Sequence, residues 1–469
     1  MNYEAVIGLE VHVQLKTASK IFCGCATEFG AEPNTRVCPV CLGYPGVLPV
    51  MNEEAVKKSI LVGLMLGSKI SEFSKWDRKN YFYPDMPKNY QVSQYDLPLC
   101  VGGTVLVKME DGTAKTFGVT RAHLEEDVAK SFHYATTSGV DFNRAGTPLL
   151  EIVSEPEMRT PEDAFAYLTA LKEMLIAGGV SDCDMEKGQL RCDANVSVRP
   201  VGQVKFGEKV ELKNLNTISG VKKAVAYEIQ RQIATVTKGG EIRQETRRWD
   251  DDAGMTSVMR TKEYAHDYRY FPEPDLMPVT VNAAMVAEIR KLLPELPEAK
   301  RQRFVSQYGL PEYDAGVLVA DFAVADYFEK AAAGAKNAKA VSNWIMTELV
   351  AKFAENRVTP EQLAELVGLI DAGQISGKQA KEVFAEMFAT GKSAGAIVKE
   401  KGLVQVSDTG ALEALADEAI AKNAKSVADF KAGNEGALNF LKGQVMKLSK
   451  GKANPQLAGE ILLRKLREP

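Results

Sequence analysis

Strict apolar–polar alternation, recurring with acidic side chains on the polar face, constrains this chain more than any other feature. From Ile7 to Leu15 every odd position is apolar, and Glu10, His12 and Gln14 alternate with them. A period of two makes a strand that buries one face and displays the other, so a carboxylate and an imidazole stand side by side. Later segments repeat the device. In Arg121–Asp127, the residues Arg121, His123, Glu125 and Asp127 share a face with Glu126 opposite, and Gly146–Val153 sets Glu151 within an apolar strand. An unpaired carboxylate there is expensive, so Glu151 needs a partner. Arg191–Arg199 turns Cys192, Ala194, Val196 and Val198 one way and Asp193, Asn195 and Ser197 the other, and Val210–Asn216 offers Glu211 and Lys213 on one face.

Six candidate ligands or bases therefore sit on separate strands: Glu10, His12, Glu125, Glu151, Asp193 and Glu211. Carboxylates about 5 Å apart repel by about 3 kcal/mol at an effective dielectric of about 20, so convergence would require bound cations. Oxygen-rich clusters suit magnesium, particularly magnesium carrying nucleotide phosphates. The competing reading spreads the carboxylates over a solvated sheet face. No Walker A loop is present, and Gly391-Lys-Ser lacks that motif's earlier glycine and reads as a helix-end turn.

Trp76–Tyr95 reads as a long loop that mixes Arg78, Lys79 and Lys88 with Tyr81, Phe82 and Tyr83. It either grips phosphate and stacks on a base, or is a proline-stiffened surface loop tucked in by its rings. Arg247, Arg260, Lys262 and Arg269 likewise either meet phosphates or pair with neighbouring carboxylates.

Four of the seven cysteines cluster as Cys23-x-Cys25 and Cys38-x-x-Cys41. Two close pairs brought together by a loop supply four thiolates, the donor set of a structural zinc, and leave no open coordination position. Buried free cysteines are the alternative, and burial is the expectation for the scattered Cys100, Cys183 and Cys192. The odd count argues against a disulfide framework. No apolar run is long enough to span a bilayer and no signal-peptide pattern opens the chain, so a cytoplasmic protein is expected. The net charge of -4 excludes nucleic-acid binding by bulk charge alone, while leaving room for a local basic face.

The strands are interleaved with helices over Glu53–Leu66 and after Thr160, whose N-cap signature continues with Pro161, Glu162 and Asp163. Beyond about residue 295 the period is helical, as in Val341–Val350 and in Pro360–Ile370 capped by Thr359. A turn-rich stretch near Gly402–Gly410 separates a last unit. From Gly433 onward Lys442, Lys447, Lys450, Lys452, Arg464, Lys465 and Arg467 outnumber Glu435, Glu460 and Glu468. The expectation is an α+β chain with a β-rich domain over 1–294, a helical domain over 295–405 and a helical tail over 406–469.

Gly8–Leu15, the four cysteines, Arg78–Asp85, His123–Asp127 and His266–Asp275 together resemble the GatB family, the B subunits of tRNA-dependent aspartyl/glutamyl amidotransferases. The resemblance implies an antiparallel β-sheet cradle with a zinc knot, a helical domain and a small YqeY-like helical tail that meets tRNA. It also implies a heterotrimer in which the other two chains are a glutaminase (the A subunit) and a small C subunit. The activity implied is ATP-dependent: Glu or Asp misacylated on tRNA(Gln) or tRNA(Asn) is phosphorylated on its side-chain carboxylate, and ammonia displaces the phosphate. On this resemblance Glu10, His12, Glu125 and Glu151 fall in the catalytic metal region. Lys79, Asp193, Glu211 and Lys213 are expected to bind ATP and Mg2+, and the four cysteines Zn2+. Two other readings compete, a zinc-containing RNA-binding module without chemistry and a stand-alone ATP-dependent ligase for a small acid. The acidic strands count against the first, and a tail built for tRNA against the second.

Overall fold

Strand β1 (Tyr3–Gln14) forms where the alternation predicts it, with Ile7, Val11 and Val13 fully buried beneath the displayed Glu10 and His12. The computed structural model describes residues 2–261, 268–403, 409–449 and 453–467. Lys262, His266, Lys450, Lys452 and Glu468 lie outside the described residues. The chain divides into two units, Met1–Leu296 and Pro297–Pro469.

In the first unit β1 is the centre of a 10-stranded sheet. The long strands that carry the chemistry are β2 (Ala114–Glu126), β3 (Pro148–Ser154), β4 (Leu190–Pro200), β5 (Val210–Leu215), β6 (Glu245–Asp250) and β7 (Met255–Thr261). Their order across the sheet is β7-β6-β5-β4-β1-β3-β2. β1 pairs antiparallel with β4 on one side and β3 on the other, and β3 pairs antiparallel with β2. The expected antiparallel cradle needs one correction, because β5 and β6 run parallel. Parallel neighbours require a crossover, and helix α3 (Ile218–Thr237) carries the chain back between them.

Helices α1 (Glu53–Leu66) and α2 (Pro161–Ala177) join α3 over a single core with the sheet. Both start where the sequence predicts, α2 with a reciprocal Thr160–Asp163 capping box, and α1 with a cap from Asn52, which was not among the expectations.

The stretch read as a long loop is partly sheet. Asp77–Asn80 pairs with Tyr90–Ser93 and with Phe271–Pro272, so Lys79 sits on a strand. Segments of two to four residues broken by prolines carry no readable period, and one of the two partners lies nearly 200 residues away.

The second unit is helical, with one core among residues between Phe304 and Val398 and another between Leu412 and Leu466. Thr359 forms the capping box of the Pro360–Asp371 helix, and Gly391 ends its own helix in the left-handed region. Val341–Val350 is not one regular helix: an α segment, Ala338–Trp344, widens into a π turn over Ile345–Leu349. The apolar spacing marked the buried face but carries no signal for the wider turn. No helix among the described residues is long and apolar enough to cross a membrane.

Candidate functional site

Register decides which of the polar residues meet. His12 on β1 lies opposite Glu151 on β3, and Glu151 lies opposite His123 on β2. On the other flank Glu10 faces Asp193 on β4. One row of the sheet therefore reads His123–Glu151–His12, with Glu10 and Glu125 a pleat away on the same face.

The side chains close into two overlapping groups, Glu10–His12–Glu151 and His123–Glu125–Glu151, each with donor atoms within 4.8 Å of one another. His12 Nε2 stands 3.6 Å from Glu10, 3.6 Å from Glu125 and 3.5 Å from Glu151. His123 Nε2 is 3.6 Å from Glu151 and 3.9 Å from Glu125. His123, Glu125 and Glu151 are buried, and Glu125 Oε2 and His123 Nδ1 lack hydrogen-bond partners. Buried acceptors left open beside other carboxylates fit a divalent cation, which would take up oxygen and imidazole donors here.

The electrostatics follow from this crowding. Burial works against a charged His12, but Glu151, Glu125 and Glu10 outweigh it and push its pKa up to about 9. Burial takes His123 the other way, down to about 4, with Arg121, Lys79 and His12 adding to it against Glu151. Burial pushes Glu125 up to about 7, with the Lys79 charge opposing and Glu151 adding. Burial also tends to raise Glu151, yet the two imidazoles and Lys79 hold it well below the usual carboxylate range. The face thus combines a carboxylate fixed as an anion with a carboxyl able to exchange a proton near neutrality.

Lys79 faces Glu125 and Glu151 from the three-stranded sheet, with its Nζ 5.2 Å from the centre of the Tyr268 ring. Its strand neighbour Arg78 is committed elsewhere, in a bidentate pair with Glu273 at 2.8 and 2.7 Å. Lys88 is tied to Glu126 at 2.7 Å. Of the two readings of this stretch, phosphate grip by Arg78 and Lys88 would have to break these pairs. Arg247 likewise pairs with Glu245, beside the buried Glu228.

Asp193, Glu211 and Lys213 form an adjoining patch outside both groups. Lys213 bonds to Asp193 and lies 3.3 Å from Glu211, and Glu211 also accepts from Thr246. Asp193 adjoins Glu10 across the β1–β4 pair, and Glu211 lies one strand further out, opposite Asn195. His123 was not among the six candidates, although the alternation through Arg121, His123 and Glu125 had placed it on the right face.

The four cysteines also converge, with Cys23, Cys25, Cys38 and Cys41 presenting sulfurs within 4.8 Å of one another. The Cys23 thiol's hydrogen bond holds Cys41 down to about 4, helped against burial by the Cys38 amide and the Lys20 ammonium. A thiolate among three more sulfurs fits a tetrahedral zinc.

Two family models match. That for the GatB/GatE catalytic domain covers residues 5–287, which includes every residue of the two carboxylate–imidazole groups and the cysteines. The chain belongs to the GatB family. A second model, described as the GatB domain, covers residues 326–466. Among curated GatB relatives, the B subunit of the aspartyl/glutamyl-tRNA(Asn/Gln) amidotransferase of Methylacidiphilum infernorum is 56% identical, over 100% of each chain. The protein of the same description from Caldanaerobacter subterraneus subsp. tengcongensis is 56% identical over 99% of this chain and 100% of its own, and that from Carboxydothermus hydrogenoformans 54% over 99% of each. Full-length GatB similarity of this kind supports neither the RNA-binding module without chemistry nor the stand-alone ligase.

Proposed function

We propose that the chain is the component of a tRNA-dependent amidotransferase that activates Glu or Asp misacylated on tRNA(Gln) or tRNA(Asn). The observation that carries the reading is the pair of carboxylate–imidazole groups sharing Glu151. ATP gives its terminal phosphate to the side-chain carboxylate, ADP leaves, and ammonia then attacks the acyl carbon and releases phosphate as the amide forms. Ammonia is supplied by the partner glutaminase, the A subunit, in a heterotrimer completed by the small C subunit.

Magnesium bound by Glu10, His12, Glu125 and Glu151, with His123 as an added donor, would neutralise phosphate charge and align an in-line transfer. Lys79 is positioned to offset phosphate charge once a cation has taken its share of the carboxylates. Asp193, Glu211 and Lys213, which adjoin Glu10, would contribute to holding ATP and Mg2+. Cys23, Cys25, Cys38 and Cys41 hold a zinc ion that fixes the loop after β1 and takes no part in the reaction.

The test uses the assembled complex with labelled ATP and Glu-tRNA(Gln), without an ammonia donor. ADP should form only with the charged tRNA, and Glu10→Gln or His12→Ala should cut that ADP at least tenfold while the partner's glutaminase activity persists. ADP no higher than in the tRNA-free control, or wild-type yields from Glu10→Gln, would overturn the assignment.

A further inference from the structure

Lys20 is one of the largest fully buried side chains in the protein. Its Nζ donates to Cys41 Sγ at 3.5 Å and to the Phe142 carbonyl at 3.3 Å, and among the described residues no carboxylate pairs with it. The contrast is with Lys300, also buried, which meets Asp326 at 3.1 Å and Glu329 at 3.0 Å. An ammonium withdrawn from water needs a counter-charge, and a neutral carbonyl does not provide one.

The surroundings hold the side chain in place. The Lys20 amide donates to the Cys25 carbonyl at 2.9 Å, and its own carbonyl accepts from Asn52, the residue that caps α1. Gly146, at φ 84°, lies over the contact, where a Cβ would come within 3.5 Å of Lys20 Cδ and 3.7 Å of Cys41 Cβ. The backbone conformation there favours glycine, and the chain closes over the lysine–cysteine pair.

We propose that Lys20 is a positioning residue for zinc at Cys23, Cys25, Cys38 and Cys41: its buried ammonium donates to the Cys41 sulfur and supplies counter-charge to the tetrathiolate centre. Four thiolates around a divalent ion carry a net charge of about minus two, the partner that the buried cation lacks. Donors to a ligating atom fix its orientation, and their loss typically costs about 10- to 100-fold in metal affinity. The inference rests on the zinc reading above.

The experiment uses the full chain as wild type, Lys20→Met, Lys20→Gln and Lys20→Arg. Zinc affinity is measured by competition with a chromophoric chelator, and the thiolate-to-metal charge-transfer band is recorded after cobalt substitution. Lys20→Met should bind zinc about 10- to 100-fold more weakly. Its cobalt band should move to lower energy, because a sulfur relieved of a hydrogen bond donates more strongly. Lys20→Gln, which keeps an N–H without the charge, should fall between, and Lys20→Arg should recover most of the affinity. Melting with and without zinc gives a readout independent of ligand geometry. Metal removal should lower the Tm of wild type more than that of Lys20→Met, since only the wild type is left with an unpaired buried cation. Unchanged affinity and an unmoved cobalt band in both neutral variants would overturn the role of Lys20. A wild type that takes up no zinc at all would instead overturn the zinc reading.

Discussion

Single side chains hold this fold by satisfying several backbone groups at once, and Asp163 is a clear case. Its carboxylate accepts from the amides of Arg159 and Thr160 at 3.0 Å each and from Lys115 Nζ at 2.7 Å, so it closes the entry to α2 and ties it to β2. Replacing it with alanine leaves two amides without their acceptor and should cost about 1–3 kcal/mol in urea unfolding. Burial tends to raise the Asp163 pKa, but Lys115 and the two amides hold it below its ordinary value. A carboxyl depressed in the folded state gives its full contribution above its unfolded pKa, about 3.9, and loses it as pH falls through the lower folded value. The gap between wild type and Asp163→Ala should therefore stay constant from neutrality to about pH 5 and narrow below about pH 4. A gap that widened on acidification would refute the assignment.

At the scale of elements, α3 is pinned to the sheet by one buried acid. Glu228 has no exposed surface, accepts from Arg231 at 3.0 and 2.7 Å and from Gln232 at 2.8 Å, and lies 3.7 Å from Arg247 on β6. Removing it takes an acceptor from Arg231 and Gln232 while Glu245 still faces both arginines, so Glu228→Ala should lose about 1–3 kcal/mol, read from the shift of the denaturant midpoint. A loss under about 1 kcal/mol would mean that the crossover helix is held by apolar packing alone. The elements were unevenly legible in the sequence. β1, β4 and α1 announced themselves by period and α2 by its cap, because those signals are local. The meeting of His12, Glu151 and His123 depends on register between separate strands, β1 and β3 being more than 100 residues apart, which no local pattern carries. Glu211 fell outside the groups because it lies two strands from β1, in the row of Asn195 and Gly8 rather than that of His12. The cysteines were readable from spacing, whereas Lys20 was not, since its meaning comes only from being buried.

At the scale of the whole chain, the carboxylate face and the basic tail belong to separate units with separate cores. The tail's charge is partly spent within it: Arg464 pairs with Glu413, and Lys465 with Asp417 at 2.7 Å. Deleting residues 410–469 should weaken tRNA binding and flatten its salt dependence, while zinc content and the folding of the first unit persist. A binding isotherm unchanged across a salt series would show that the tail contributes nothing to tRNA affinity. The position of β1 carries a further consequence for how such a chain is made. The middle strand of the sheet is made before both of its neighbours, which are β3, from Pro148, and β4, ending at Pro200. At ~5–20 residues per second, synthesis reaches Pro200 only after roughly 10–40 s. An apolar strand waits with both hydrogen-bonding edges unpaired until β3 is made, and with one unpaired until β4 is, the condition under which nascent chains associate with one another. Biogenesis of this protein is thus most exposed before the second hundred residues are complete, and holding the growing chain apart matters more there than at any later stage.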